Sequence, residues 1–169
     1  MPRGVNPLRG AVAGAIGGAA GSYTMELFQA WWNEREARTG SKPRATKART
    51  GAAKDVDPAT VQVAERILAT ELPETLKPAA GEAVHYAMGA ATGAIYGFVA
   101  ELFPPARLFN GMLMGMIVWW TADNMAVPAE KLGKGPEQTP PSMHAYALAS
   151  HLVYGLTTDL VRSIVRVVL

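Results

Sequence analysis

Four stretches of the chain, roughly Leu8–Trp32, Ala83–Pro104, Leu108–Val127 and Ala145–Leu169, are apolar along most of their length, and the polar residues gather between them. Each is about 20 residues or longer, enough to cross a hydrocarbon core ~30 Å thick at a helical rise of ~1.5 Å per residue. They are rich in alanine, glycine and methionine rather than leucine and isoleucine, so each hydropathy signal is moderate. The competing fold is a soluble bundle with alanine-rich cores. Against it, 11 of the 17 glycines lie inside these stretches. Each would cost a soluble helix ~1 kcal/mol, whereas a membrane helix gains close packing from it. The pattern predicts an all-α, polytopic membrane protein with four transmembrane helices in a single membrane domain. The first stretch follows Arg3 and Arg9 and runs on into Phe28, Trp31 and Trp32, which suits a retained span with interfacial tryptophans better than a cleaved signal peptide.

The polar material between the first two spans, residues 33–82, is expected to lie outside the membrane. Its first part carries Arg35, Arg38, Lys42, Arg44, Lys47, Arg49 and Lys54, interrupted by Gly40, Pro43 and Gly51, which predicts an extended loop. Asp57 followed by Pro58 reads as an N-cap and first helical residue. Val61, Ala64, Ile67, Leu68 and Leu72 then recur at helical spacing until Pro73, predicting a short amphipathic helix over about 58–72 that packs on the bundle or lies on lipid. Phe103–Arg107 predicts a tight turn. Pro128–Met143, with several prolines and glycines, predicts a loop ordered by its neighbours.

Within the spans, small residues recur every four positions. The first reads Gly10, Gly14, Gly18, Ser22, Glu26; the second His85, Gly89, Gly93, Gly97, Glu101; the third Gly111, Gly115, Trp119, Asp123; the fourth His151, Gly155, Asp159. Positions i and i+4 share one ridge of a helix, so each span carries a groove of missing side chains beside an ionisable group. The step from Gly18 to Glu26 equals that from Gly115 to Asp123, and His85 to Gly89 equals His151 to Gly155. This suggests a duplicated two-helix unit. Alternating span directions would then place Glu26, His85, Asp123 and His151 toward one membrane face, and Arg9, Glu101, Arg107, Asp159 and Arg162 toward the other.

Ionisable groups inside spans are candidates for function. The cluster of Glu26, His85, Asp123 and His151 has three readings: interhelical pairs that fix register, worth ~0.6 kcal/mol each; a proton or ion relay; or a site for a first-row metal, or for a haem held axially by His85 and His151. No local ligand motif supports the last, and no cofactor is predicted.

Composition sharpens the picture in three places. The mean hydropathy of +0.08 averages an apolar bundle with one charged loop, since 9 of the 16 Lys and Arg and 8 of the 14 Asp and Glu fall in residues 33–83. The absence of cysteine excludes disulfides, thiolate metal sites and a cysteine nucleophile. The chain shows neither a phosphate-binding loop nor a nucleophile elbow, and its basic loop lacks aromatics to stack on bases, which argues against nucleic acid. The long loops hold 11 of the 16 Lys and Arg, so the positive-inside rule places both termini outside.

The run from His85-Tyr86 through Ile95-Tyr96-Gly97, then Val99-Ala100-Glu101-Leu102-Phe103-Pro104, Leu108 with Gly111 and Gly115, Asp123 before Pro128, and Ser150-His151-Leu152-Val153 with Asp159 and Arg162 resembles the YagU-like family of small bacterial inner-membrane proteins. The likeness covers about residues 84–166, while the first span matches in kind and the long loop does not. It implies an address in the bacterial inner membrane, no reaction, and termini in the cytoplasm, opposite to the charge rule. The position of Asp123 can hold histidine in that family, which groups it with His85 and His151. The expected function is that of a non-enzymatic accessory or structural subunit, with the lipid bilayer and other membrane subunits or a second copy as partners, met through glycine-lined faces. The alternative is a small proton- or ion-conducting protein.

Overall fold

A computed structural model describes residues 4–38 and 57–169. Arg3 and the basic positions Lys42, Arg44, Lys47, Arg49 and Lys54 lie outside the described residues. The described chain is all-α: helices α1 (Pro7–Arg38), α2 (Ala59–Leu68), α3 (Lys77–Leu102), α4 (Met112–Val118), a π-helix (Trp119–Ala126), α5 (Val127–Ala129) and α6 (Pro141–Val168), with 3-10 turns at Pro104–Gly111 and Pro136–Gln138. The three long helices have 32, 26 and 28 residues. Among the described residues, no helix is long and apolar enough to cross a membrane on hydropathy.

α1 packs along both α3 and α6, and α4 lies on α6. The reason is the glycine spacing. Gly10, Gly14 and Gly18 of α1 face Gly97, Gly93 and Gly89 of α3 in antiparallel register, and a Cβ on Gly14 or Gly93 would meet the other's carbonyl oxygen at less than 3.0 Å. Gly17 and Gly21, on another side of α1, face Thr158 and Tyr154 of α6, while Gly111 and Gly115 face Gly155 and His151. Helix backbones in such contact gain dispersion and Cα–H···O=C interactions that any side chain would hold apart. Where the helices diverge, Met25, Tyr96, Ala100, Met114 and Tyr154 fill the centre, with Val118 against them.

Several boundaries differ from the sequence reading. α1 runs on to Arg38, because the segment after the tryptophans has good helix formers and an Arg38–Glu34 pair one turn apart. α3 begins at Lys77, led in by Pro78 in its first turn. Asp57 does not cap α2. Pro58 takes the N-cap position in an extended conformation, and the Asp57 carboxylate instead receives Lys77 Nζ at 2.9 Å. α2 stops at Leu68, short of Leu72, since Ala69 turns left-handed (φ 52°) and the Ala69 and Thr70 N–H groups fold back to the Arg66 and Glu65 carbonyls. α2 rests on α3 through Val61 and Ala64, with Val61 against Gly81.

The turn between α3 and α4 is longer than Phe103–Arg107. Leu108 is extended, and Phe109, Asn110 and Gly111 follow with φ of 59°, 51° and 82°. Left-handed backbone costs a residue with a Cβ ~1–2 kcal/mol. Gly111 also needs its missing Cβ because the Gly155 carbonyl stands in that space. The third apolar stretch is therefore not one α-helix. Its first four residues belong to the turn, and it changes winding at Trp119.

Two outcomes follow from this packing. Gly14→Val and Gly93→Val each push α1 and α3 apart and lower stability by ~1–3 kcal/mol, read by thermal unfolding on helical circular dichroism. Gly135→Ala, with nothing within 4 Å of its added Cβ, stays within ~0.5 kcal/mol. Separately, Lys77 is held charged well above the ordinary lysine range by hydrogen bonds first to Asp57 and then to Glu74. A raised pKa means this clamp is at full strength at neutral pH and is lost only as pH rises through the elevated value. Lys77→Met is expected to speed amide hydrogen exchange in Val61–Leu68 at pH 7 while leaving α6 unchanged.

Candidate functional site

The bundle carries ionisable side chains at both ends of its glycine seams. At one end the seam between α1 and α3 finishes at Glu26 and His85, whose Oε1 and Nε2 are 3.9 Å apart. Tyr86 donates its hydroxyl to Glu26 Oε2 at 3.1 Å. The seam between α4 and α6 finishes at Asp123 and His151, with Oδ2 and Nδ1 3.8 Å apart. Both separations exceed hydrogen-bond length, so each pair is an ion pair only when the imidazole is protonated. Contacts along α1 set their level: Gly21 meets Tyr154 and Thr158, and Trp32 stacks edge-on to Tyr146 with ring centroids 5.8 Å apart. Glu26 thus lies level with His151 on one side and His85 on the other.

The four groups expected as one cluster stand as two carboxylate–histidine pairs. Among the described residues no group of three His, Asp or Glu side chains is placed to hold a metal ion. The pairs occupy equivalent places in the suggested two-helix repeat, yet the seams beside them differ by one turn. Gly18 faces the Gly89 carbonyl, whereas Gly115 faces the carbonyl of His151 rather than that of Gly155.

The opposite end is a denser ionic knot. Arg162, whose side chain is 3% exposed, places NH2 3.1 Å from Glu101 Oε1 and NH1 3.4 Å from Asp159 Oδ1. Arg166 holds Glu101 by two parallel bonds, Nε to Oε1 at 2.9 Å and NH2 to Oε2 at 3.1 Å. Arg107 approaches Asp159 at 3.7 Å from a side chain 48% exposed and donates to Ser163 Oγ at 3.2 Å. The Arg162 guanidinium also lies over the Tyr96 ring, 5.9 Å from its centroid. The backbone N–H of Asn6 completes Glu101 at 3.3 Å. Of the five residues expected on this face, Arg9 alone stands apart from the knot, its guanidinium donating instead to the Leu169 carbonyl.

Arg166 belongs to the knot although the sequence pattern does not single it out. The signal that points to it is the four-residue step from Arg162, which puts both guanidinium groups on one face of α6. Two uncharged ties were also missed: Tyr154 donates its hydroxyl to the Gly89 carbonyl at 2.7 Å, and Thr24 and Thr157 bond across α1 and α6 at 2.9 Å. Ordinary hydroxyls in an apolar run carry no spacing signal. His144, His151, Thr158 and Arg162 form a polar stripe along α6 that is buried from His151 onward, while His144 sits at its start, beside Trp119.

Chemically, the knot has few free acceptors and serves to fix register. Glu101→Gln leaves Arg162 and Arg166 buried without their shared carboxylate and is expected to cost ~3–5 kcal/mol. Arg107→Met, at a half-exposed partner, is expected to cost ~0–1 kcal/mol. Equilibrium denaturation of the two variants checks the contrast. In comparisons with known proteins, the chain matches no family model, no curated protein and no solved structure.

Proposed function

We propose that the chain is a non-enzymatic integral membrane protein whose helical bundle crosses a lipid bilayer and serves as an accessory or structural subunit. One observation carries the reading: large apolar side chains are spread over the exterior while polar and charged side chains are buried among the helices. The largest fully buried side chains are Thr158, Ser22 and Ser150, and the interior also holds Asp159 and Arg162, while Leu8, Ile95 and Ile164 are 75%, 67% and 59% exposed. Exposed Val12, Ile16, Phe98, Leu102, Met116, Ile117, Leu156 and Leu160 extend the apolar exterior around α1, α3, α4 and α6. A water-soluble monomer rarely presents apolar surface so broadly, whereas in lipid the outside is the apolar side and polar groups turn inward to one another.

The low hydropathy of each helix has a physical source in this reading. A mean along the helix averages an apolar outer face with an inner face of glycine, serine and charged residues, and the glycines are there for packing. α1, α3 and α6 exceed the length of about 20 residues that a span needs, and α4, the π-helix and α5 form one unbroken helical run from Met112 to Ala129. The glycines of the helix seams are used up in contacts within the chain, so a partner subunit or a second copy would be met through the apolar exterior. The resemblance of about residues 84–166 to the YagU-like proteins points the proposal to a bacterial inner membrane.

In bacterial cells the chain is expected in the membrane fraction after an alkaline carbonate wash, with Trp31 and Trp120 fluorescence quenched by brominated lipid. A folded, monodisperse chain in the soluble fraction would overturn the reading. A second reading, a small proton conductor, is favoured by the paired placement of Glu26–His85 and Asp123–His151. It expects liposome proton flux that falls at least tenfold in the His85→Ala, His151→Ala double variant, and unchanged flux would sink it.

A further inference from the structure

The third apolar stretch leaves the α-helix where its carboxylate sits. From Trp119 to Ala126 it winds as a π-helix of eight residues, a geometry with i→i+5 bonds that is rare and mostly confined to single turns near functional sites. The backbone register shifts across it: the Trp119 N–H returns to Gly115 and Met116, whereas the Val127 N–H returns to Ala122, five residues back. Side chains support the wide winding. Asn124 Nδ2 donates to the Trp119 carbonyl at 3.1 Å, and Thr121 Oγ1 donates to the Ile117 carbonyl at 2.8 Å. Pro128, just beyond, has no N–H and in tight α winding would press its ring on the Asn124 carbonyl.

This winding aims Asp123. In an α-helix at ~100° per residue, Asp123 would lie about 80° around the axis from Gly115. The wider π turns wind it back toward the Gly115 side, which is the side on α6. There it meets His151. His151 Nδ1 is 2.8 Å from the Ala147 carbonyl, which can only accept, so Nδ1 bears the hydrogen of the neutral ring and the lone pair is on Nε2. A neutral His151 therefore has no hydrogen to give Asp123, and an imidazolium attracts it. The other titratable group acting on Asp123 is His144, also on α6, with its Nε2 3.0 Å from the Pro136 carbonyl and its ring edge-on to Trp119 at 6.1 Å, and α1, packed on α6, brings Glu26 level with His151. α4 and α5, which flank the π-helix, contain no titratable side chain.

We propose that Trp119–Ala126 is a proton-set hinge: imidazolium at His151 holds Asp123 and with it the π winding ahead of Asn124, and loss of that proton lets the turn Trp119–Asp123 tighten toward α winding while Pro128 keeps Asn124 onward wide. Tightening turns Trp119, Trp120 and Met125 around the helix axis relative to α6. The device rests on the contact between this segment and α6, independently of whether the helices cross a bilayer.

The chain has no cysteine, so Met125→Cys with Leu156→Cys gives a unique spin-label pair at exposed positions. The inter-label distance distribution of the full chain is measured at about pH 5 and about pH 8, spanning the histidine range. The same measurement runs in detergent and in lipid, which separates failure of the hinge from failure of membrane insertion. The distribution is expected to shift between the two pH values, to lose the shift in Asp123→Asn and His151→Gln, and to keep it in His144→Gln. A distribution that ignores pH, or a shift that survives both Asp123→Asn and His151→Gln, overturns the proposal. Should a variant fail to fold, fluorescence of Trp119 and Trp120 in a Trp31→Phe, Trp32→Phe, His144→Gln background, which removes the imidazole beside Trp119, reads the same hinge: a midpoint in the histidine range supports it, and a flat profile overturns it.

Discussion

The constraint on which the rest of the structure depends is the direct backbone contact of α1 with α3 and of α6 with α1 and α4. At Gly14 and Gly93, or Gly115 and His151, the next helix's carbonyl occupies the space of a missing Cβ. Such contacts have no slack, because displacing a helix by a fraction of an ångström either overlaps atoms or forfeits a large part of each dispersion well. The seams therefore set register as well as distance. Hydrophobic side chains fill only the centre, where Tyr96, Met114 and Tyr154 meet, and most of the bulky apolar residues are left on the exterior.

Register in turn dictates the electrostatics. With Gly10 facing Gly97, Glu101 lies one turn beyond, against Gly10 and within reach of Arg162 and Arg166. Buried charges are costly unless paired in good geometry, and here a rigid seam provides the geometry, with Glu101 shared between two arginines and Arg162 between two carboxylates. At the other end the same seams bring one carboxylate to one histidine twice, at 3.9 and 3.8 Å. Those pairs are looser than the arginine knot, where two guanidinium groups share one carboxylate within hydrogen-bond distance.

Much of this was legible in the residues. Steps of four marked which face of each helix would be in contact, and the carboxylates and histidines on those steps marked the ionic ends. The Glu101 and Arg162 pairing needed only that faces carrying complementary charges meet. What was not legible depends on register and on the competition among backbone conformations. Glu26 and Asp123 stood in one presumed cluster because spacing sets level along an axis but not distance across the bundle. The left-handed run at Phe109, Asn110 and Gly111 has only a partial local signature, since Asn110-Gly111 tolerates positive φ but Phe109 does not declare it. Asp57 had the chemistry of an N-cap and was claimed by Lys77 instead.

By itself the amino-acid order determined the helical class, the contact ridges and the residues that carry charge within apolar runs, because these follow from local periodicity and side-chain chemistry. The tertiary structure alone decided that α1 is shared by α3 and α6, that the second seam is shifted by one turn from the first, and that the third run winds as a π-helix around Asp123. Those choices rest on which carbonyl fits above which missing Cβ, a steric question between segments far apart in the chain that no local pattern encodes.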